Sequence, residues 1–116
     1  MRVFSFEKLI AWQKRRELAL IIYKTTKQFP KDETFGLTSQ MRRCSISIAS
    51  NLAEGSGRNS YKDKARFSEI AYGSSLELLN QVILCHDFEY INENEYLLVR
   101  DKITEVNMLI DGLYKS

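Results

Sequence analysis

The stretch Arg42-Arg43-Cys44-Ser45-Ile46-Ser47-Ile48-Ala49-Ser50-Asn51-Leu52-Ala53-Glu54-Gly55-Ser56-Gly57-Arg58 decides how this chain folds. Leu37, Met41, Cys44, Ile48 and Leu52 repeat at spacings of three and four, the stripe of one buried helix face. At ~100° per residue, Gln40, Arg43, Ser47, Asn51 and Glu54 fall on the adjoining face. Ordinary surface helices lack such a polar stripe beside small residues. Gly55-Ser56-Gly57 ends the helix, with Gly55 suited to the left-handed position after a helix C-terminus.

Three more helices flank this one. The first is predicted from Ser5 or Phe6 to Gln28, where Phe29-Pro30 stops it. One apolar line along it is Leu9, Trp12, Arg16, Ala19, Tyr23 and Thr26, and a second is Ala11, Leu18, Ile22 and Phe29. Ile10 and Ile21 belong to neither line. The third helix starts on the Ser60/Asp63 capping signal and runs to His86 or Phe88. Its core stripe is Phe67, Ile70, Ala71, Ser74, Leu78, Val82 and Cys85; a second stripe is Tyr72, Leu76, Leu79 and Ile83. Gly73-Ser74-Ser75 within it predicts that another backbone approaches closely. The fourth starts on Asn92/Glu95 and runs to Leu113, with Tyr96, Val99, Ile103, Val106, Ile110 and Leu113 as a single seam that packs on one side.

Four amphipathic helices with short connections predict an all-α, antiparallel up-down four-helix bundle, one domain over 1–116. The extra apolar lines on the first and third helices exceed what so small a bundle buries. Ile10, Ile21, Tyr72, Leu76 and Ile83 are therefore expected at a self-association surface.

Composition excludes several classes. The chain is 44% hydrophobic and 28% charged, which is globular rather than disordered. No apolar run of ~18 residues exists to span a membrane, and the N-terminus lacks a signal-peptide pattern. Cys44 and Cys85 lie on apolar stripes, which predicts buried reduced thiols and a cytoplasmic protein. The single histidine, His86, stands between Cys85 and Asp87, and three successive helical side chains point in three directions. No metal site, cofactor site or nucleophile with a base is predicted, and hence no enzyme.

Charge is divided unevenly. Residues 1–66 carry 14 Lys/Arg against 6 Asp/Glu, a net +8; residues 67–116 carry 3 against 9, a net −6. A basic face of this kind binds polyanions such as RNA or DNA, or else attracts the acidic half within or between subunits. The Lys14-Arg15-Arg16 run reads as a solvated segment from which Arg15 and Arg16 reach a phosphate backbone. The polar stripe has two readings. In one, Arg43, Ser47, Asn51 and Glu54 form a buried network with Glu77 and Gln81, in which Arg42 or Arg43 pairs with a carboxylate such as Glu54 or Glu77, because a buried arginine must be paired. In the other, Arg42, Arg58, Lys62, Lys64 and Arg66 line a phosphate-binding groove. The first suits Arg43 and the helix interior; the second suits the loop and first turn from Arg58 onward.

The residues also match a known pattern. Phe6, Leu9, Trp12-Gln13, Ile22-Tyr23, Phe29-Pro30, Glu33, Phe35-Gly36-Leu37, Gln40 and Arg42-Arg43 carry it first. The most specific block is Ser45 to Gly55 with Gly57-Arg58, followed by Phe67, Ile70-Ala71, Gly73-Ser74, Glu77-Leu78 and Gln81. On these residues the chain resembles the 23S ribosomal RNA intervening-sequence family over nearly its whole length. It departs at Ile48-Ala49, where the family has a proline, so a straighter helix is expected. The resemblance implies a four-helix bundle assembled as a ring-like homopentamer, with a role linked to RNA. Similar bundles in diversity-generating retroelements contact nucleic acid and a reverse transcriptase, so a protein partner is a further expectation. It implies no catalytic activity.

Overall fold

The computed structural model describes the backbone of residues 1–113 and the side chains through Leu109. The first helix is not continuous. A 3-10 turn, Ser5–Lys8, is followed by Leu9 in an extended conformation, and α1 then runs Ile10–Thr26. Glu7 causes the break: its Oε2 accepts from the Phe4 N–H at 2.7 Å, and its carbonyl accepts from Gln13 Nε2 at 3.0 Å. Phe6 packs edge-on against Trp12 at 5.1 Å. The segment is thus folded back on α1 instead of extending it, and Ser5 caps nothing. At the other end, Thr26 Oγ1 donates back to the Ile22 carbonyl at 2.8 Å.

α2 spans Leu37–Ser56 without interruption. Met41, Cys44, Ile48 and Leu52 are buried as the spacing predicts. Gly55 does not take the left-handed position: no described glycine has positive φ, and Gly57 closes the helix in the right-handed region. Gly55 is buried inside the helix, where a Cβ would lie 2.9 Å from the Cβ of Phe67. Its role is close approach of two helices. α3 spans Tyr61–Asp87, and Ser60 caps it by accepting from the Asp63 N–H at 3.1 Å. α4 spans Glu93–Leu113 and begins with a reciprocal box: Asn92 N–H donates to Glu95 Oε1 at 3.0 Å, and Glu95 N–H to Asn92 Oδ1 at 2.8 Å. Both start signals are where the sequence puts them.

The four helices pack in sequence, α1 on α2, α2 on α3, α3 on α4 and α4 back on α1. Among the described residues there is no strand, and no helix is long and apolar enough to cross a membrane. Leu18, Ile22, Met41, Ile48, Leu78, Val82, Val99, Ile103 and Val106 form the centre of the core. Each buried aliphatic side chain contributes about 1.5–3 kcal/mol. On α1 the buried line is Ala11, Leu18, Ile22 and Phe29, while the Trp12–Tyr23 line is partly exposed. α4 is more apolar than its seam suggests, since Leu97, Leu98 and Met108 are exposed. Ile110 and Leu113, the last two seam positions, lie outside the described side chains.

Gly73 departs from expectation. A Cβ there would meet nothing within 4 Å, so among the described residues no backbone approaches it closely. The close contacts are made by its neighbours. Ser75 is fully buried, with its single hydroxyl proton shared between two acceptors in reach, the Tyr72 carbonyl at 2.7 Å and Asn107 Oδ1. Gly73→Ala is accordingly expected to raise stability by about 0.5–1 kcal/mol, the helix-propensity difference. A shift of the urea midpoint to higher concentration checks it, at protein dilutions where self-association makes no contribution.

Candidate nucleic-acid interface

Two adjacent arginines exchange the roles expected of them. Arg42 is the structural one. Its Nε donates to Thr26 Oγ1 at 2.9 Å, an Nη donates to the Tyr23 carbonyl at 3.4 Å, and the guanidinium lies 4.6 Å from the Tyr23 ring centre. It ties α2 to the last turn of α1. Arg43 is exposed and makes no ion pair among the described residues. A step of one residue on a helix rotates a side chain by ~100°, enough to swap core edge for solvent.

The internal polar network is smaller than predicted. Ser47 Oγ meets Ser74 Oγ at 3.0 Å, and Asn51 Nδ2 donates to the Ser47 carbonyl at 2.8 Å and to its Oγ at 3.0 Å. This half-buried set joins α2 to α3. Gln81 is buried, with Nε2 donating to Gln40 Oε1 at 3.5 Å, and its side chain also bonds the Cys44 thiol. Glu77 is exposed. Glu54 is exposed too and pairs with Arg58 at 2.9 Å, a surface ion pair worth at most ~1 kcal/mol. Arg43, Glu54 and Glu77 are therefore surface groups, not members of a buried network.

Arg15 is the largest correction among the candidate phosphate ligands. It is fully buried, so it takes no part in a surface contact. The signal was present: position 15 lies four after Ala11 and three before Leu18, on the buried line of α1. Its neighbours behave differently. Arg16 is exposed, 5.8 Å from the Trp12 ring. Lys14 joins Glu17, Lys102 and Glu105 in a cluster that bridges α1 and α4, with Lys102 Nζ 3.0 Å from Glu17 Oε2. The Lys102 hydrogen bond holds the Glu17 carboxyl below its usual range.

The turn from α2 into α3 collects exposed cations. Arg58 lies 4.8 Å over the Phe67 ring while pairing with Glu54. Lys62 and Arg66 are exposed, one helical turn apart, and Lys64 is half-buried; none of the three makes an ion pair among the described residues. Lys62 and Arg66 share a shallow groove with Tyr61, Asp63 and Glu69. Of the expected self-association residues, Ile10, Tyr72 and Leu76 are exposed in the single chain, and Ile21 and Ile83 are half-buried.

The described residues contain no group of three ligands able to hold a metal ion. Cys44 and Cys85 are free and buried. Burial, with the Glu77 charge adding to it, pushes the Cys44 thiol up to about 11, and burial pushes Cys85 up to about 12. Cys85 Sγ–H donates to Met41 Sδ at 3.4 Å. Both thiols are expected to resist a thiol-reactive disulfide reagent at pH 8 until the protein is unfolded in guanidinium, when two equivalents react. His86 stacks on Tyr96 at 4.0 Å and bonds Glu93 at 2.7 Å, so it caps the α3–α4 junction.

The fold and this surface define a class: a small all-helical protein of four helices with a basic α1–α2 side. Residues 7–112 match the family model described as 23S rRNA-intervening sequence protein, and the chain belongs to that family. A similar solved structure is a protein of unknown function from the S23 ribosomal protein family of Bacteroides thetaiotaomicron. It is 25% identical, with a TM-score of 0.83 over 92% of this chain and 100% of that one. No curated protein matches the chain.

Proposed function

We propose that this protein is a non-enzymatic, cytoplasmic nucleic-acid-binding bundle, antiparallel and up-down in topology, that works as a ring-like homo-oligomer with RNA as its leading ligand. One observation carries the reading. Of the 14 Lys/Arg in residues 1–66, Arg15 is buried and only Lys14 and Arg58 form ion pairs with described carboxylates. The remainder form no ion pair among the described residues, and the excess of positive charge they leave is the electrostatic footprint of a polyanion-binding face. Arg16, Arg43, Arg58, Lys62, Lys64 and Arg66 are its candidate contacts; Arg42 serves by position.

Titration of a labelled structured RNA and of a DNA duplex across 50–300 mM salt tests this. Affinity is expected to fall linearly on a log–log plot as bound counterions are released. No salt-dependent binding to either at low ionic strength would overturn it.

A second reading is supported by the exposed apolar side chains. Ile10 is 65% exposed and Leu76 46%, with Tyr72 beside it on α3. A scaffold that binds only itself and a protein partner would also use them. Under that reading, Tyr72→Asp breaks the assembly seen by light scattering, and charge changes at Arg58 and Lys62 leave function intact.

A further inference from the structure

The groove between α1, α2 and the loop joining them combines an exposed aromatic ring, Phe35, with an arginine, Arg43, that makes no ion pair among the described residues. We infer that it seats one unpaired base of a single-stranded nucleic acid together with its phosphate. This rests on the nucleic-acid reading above and deepens it. Tyr23, Phe35, Ser39, Arg42, Arg43 and Ile46 line a hollow of about 280 Å³. That is just under the ~300–1,000 Å³ of typical small-ligand pockets, so it admits one base rather than a helix.

The ring is the first part of the argument. Phe35 is 95% exposed, standing at the rim in the turn before α2. An aromatic ring left fully in water offers a flat face to any base that leaves its own stack. Bases within a duplex are already stacked and cannot reach it, so the groove discriminates for single strands. Tyr23 also lines the hollow, and Arg42 covers its ring at 4.6 Å. That guanidinium is held in place by Thr26, so little side-chain freedom is lost on binding.

The charge is the second part. Arg43 stands exposed one residue further on, with a guanidinium fork that matches phosphate oxygens. Among the described residues no carboxylate lines this hollow. The two grooves between α1 and α4 contain Glu95, or Asp101 and Glu105, and the groove at the start of α3 contains Asp63 and Glu69. Glu33, on the same loop, has its carboxyl beside Gly36 and bonded to Tyr90, and is not among the lining residues. A bound anion meets no like charge among the described residues lining this hollow, whereas in the other three grooves cations and carboxylates are mixed.

The test compares a labelled ten-nucleotide oligoadenylate with a duplex of the same length, by fluorescence anisotropy at ~50 mM salt. Phe35→Ala is expected to weaken single-strand binding about tenfold or more, in line with the worth of one stacked base, and to leave duplex binding within twofold. Phe35→Trp should retain binding and show fluorescence quenching by the oligonucleotide beyond that of Trp12 in the parent protein. Equal losses on both probes, or no loss on either, would overturn the inference while leaving general nucleic-acid binding in place. Absence of binding by the parent protein would overturn both. A change in assembly size on Phe35→Ala with nucleic-acid affinity unaltered would assign the ring to a contact between copies and overturn the inference alone.

Discussion

Lys62→Glu combined with Arg66→Glu is expected to weaken RNA binding about 100-fold at ~0.1 M salt. Two unit charges at 4 Å interact by ~1 kcal/mol in water. Reversal turns that attraction into repulsion at each site, and screening over the ~10 Å Debye length reduces the total. The slope of log affinity against log salt should fall by about 1.5–2 as well, one phosphate contact per residue. Fold stability should change by no more than about 0.5 kcal/mol, because both side chains are exposed and neither is ion-paired. This pair is a cleaner probe than Arg58, whose guanidinium also covers Phe67 and pairs with Glu54. Unchanged affinity and slope would remove the α3 turn from the binding face.

Gly55→Ala is expected to destabilise the fold by about 1–2 kcal/mol, against the sign that helix propensity alone requires. In a helix interior alanine is favoured over glycine by ~1 kcal/mol. Here the added methyl would lie 2.9 Å from Phe67 Cβ and 3.8 Å from the Lys64 carbonyl. Phe67 Cβ is fixed to the α3 backbone and cannot swing aside, so α2 and α3 must separate at this point. Overpacking costs ~1–3 kcal/mol, and against immovable backbone-fixed atoms the upper part of that range applies, so about 1–2 kcal/mol of loss is left after the ~1 kcal/mol propensity gain; Gly55→Leu costs more still. Gly57→Ala is the control: its methyl would meet only the Glu54 carbonyl, at 3.6 Å. Urea midpoints measured side by side decide the matter, and a Gly55→Ala variant as stable as the parent would refute the close-contact account.

Much of the fold was legible because its signals are local. The α2 stripe, the Ser60 cap and the Asn92/Glu95 box depend on residues within one or two helical turns of each other, so periodicity and capping chemistry identify them. The first helix misled because a long-looking apolar run was interrupted by one side chain, Glu7, that captures the Phe4 N–H. Arg15 misled for another reason. Charge argued for solvent, and its position on the Ala11–Leu18 line argued for the core; only packing settles such a conflict.

The candidate interface was legible in part. The cations of the α2–α3 turn were readable as surface groups, since loops and first turns face water. The Arg42/Arg43 assignment was not, because both residues border the same stripe and one helical step separates a bridge to Thr26 from open solvent. Nor could the sequence show that the groove beside Phe35 lacks carboxylates while the others contain them, which depends on which elements meet.

By itself, then, the sequence determined four helices, the caps that begin the last two, the α2 core stripe and the division of charge between the halves. These follow from short-range hydrogen bonding and helical period. Tertiary structure alone decided that Gly55 is small because Phe67 is opposite, that Arg15 is inside, and that Arg43 rather than Arg42 is free to meet a partner. Each of those depends on the distance between residues far apart along the helices, which no local pattern encodes.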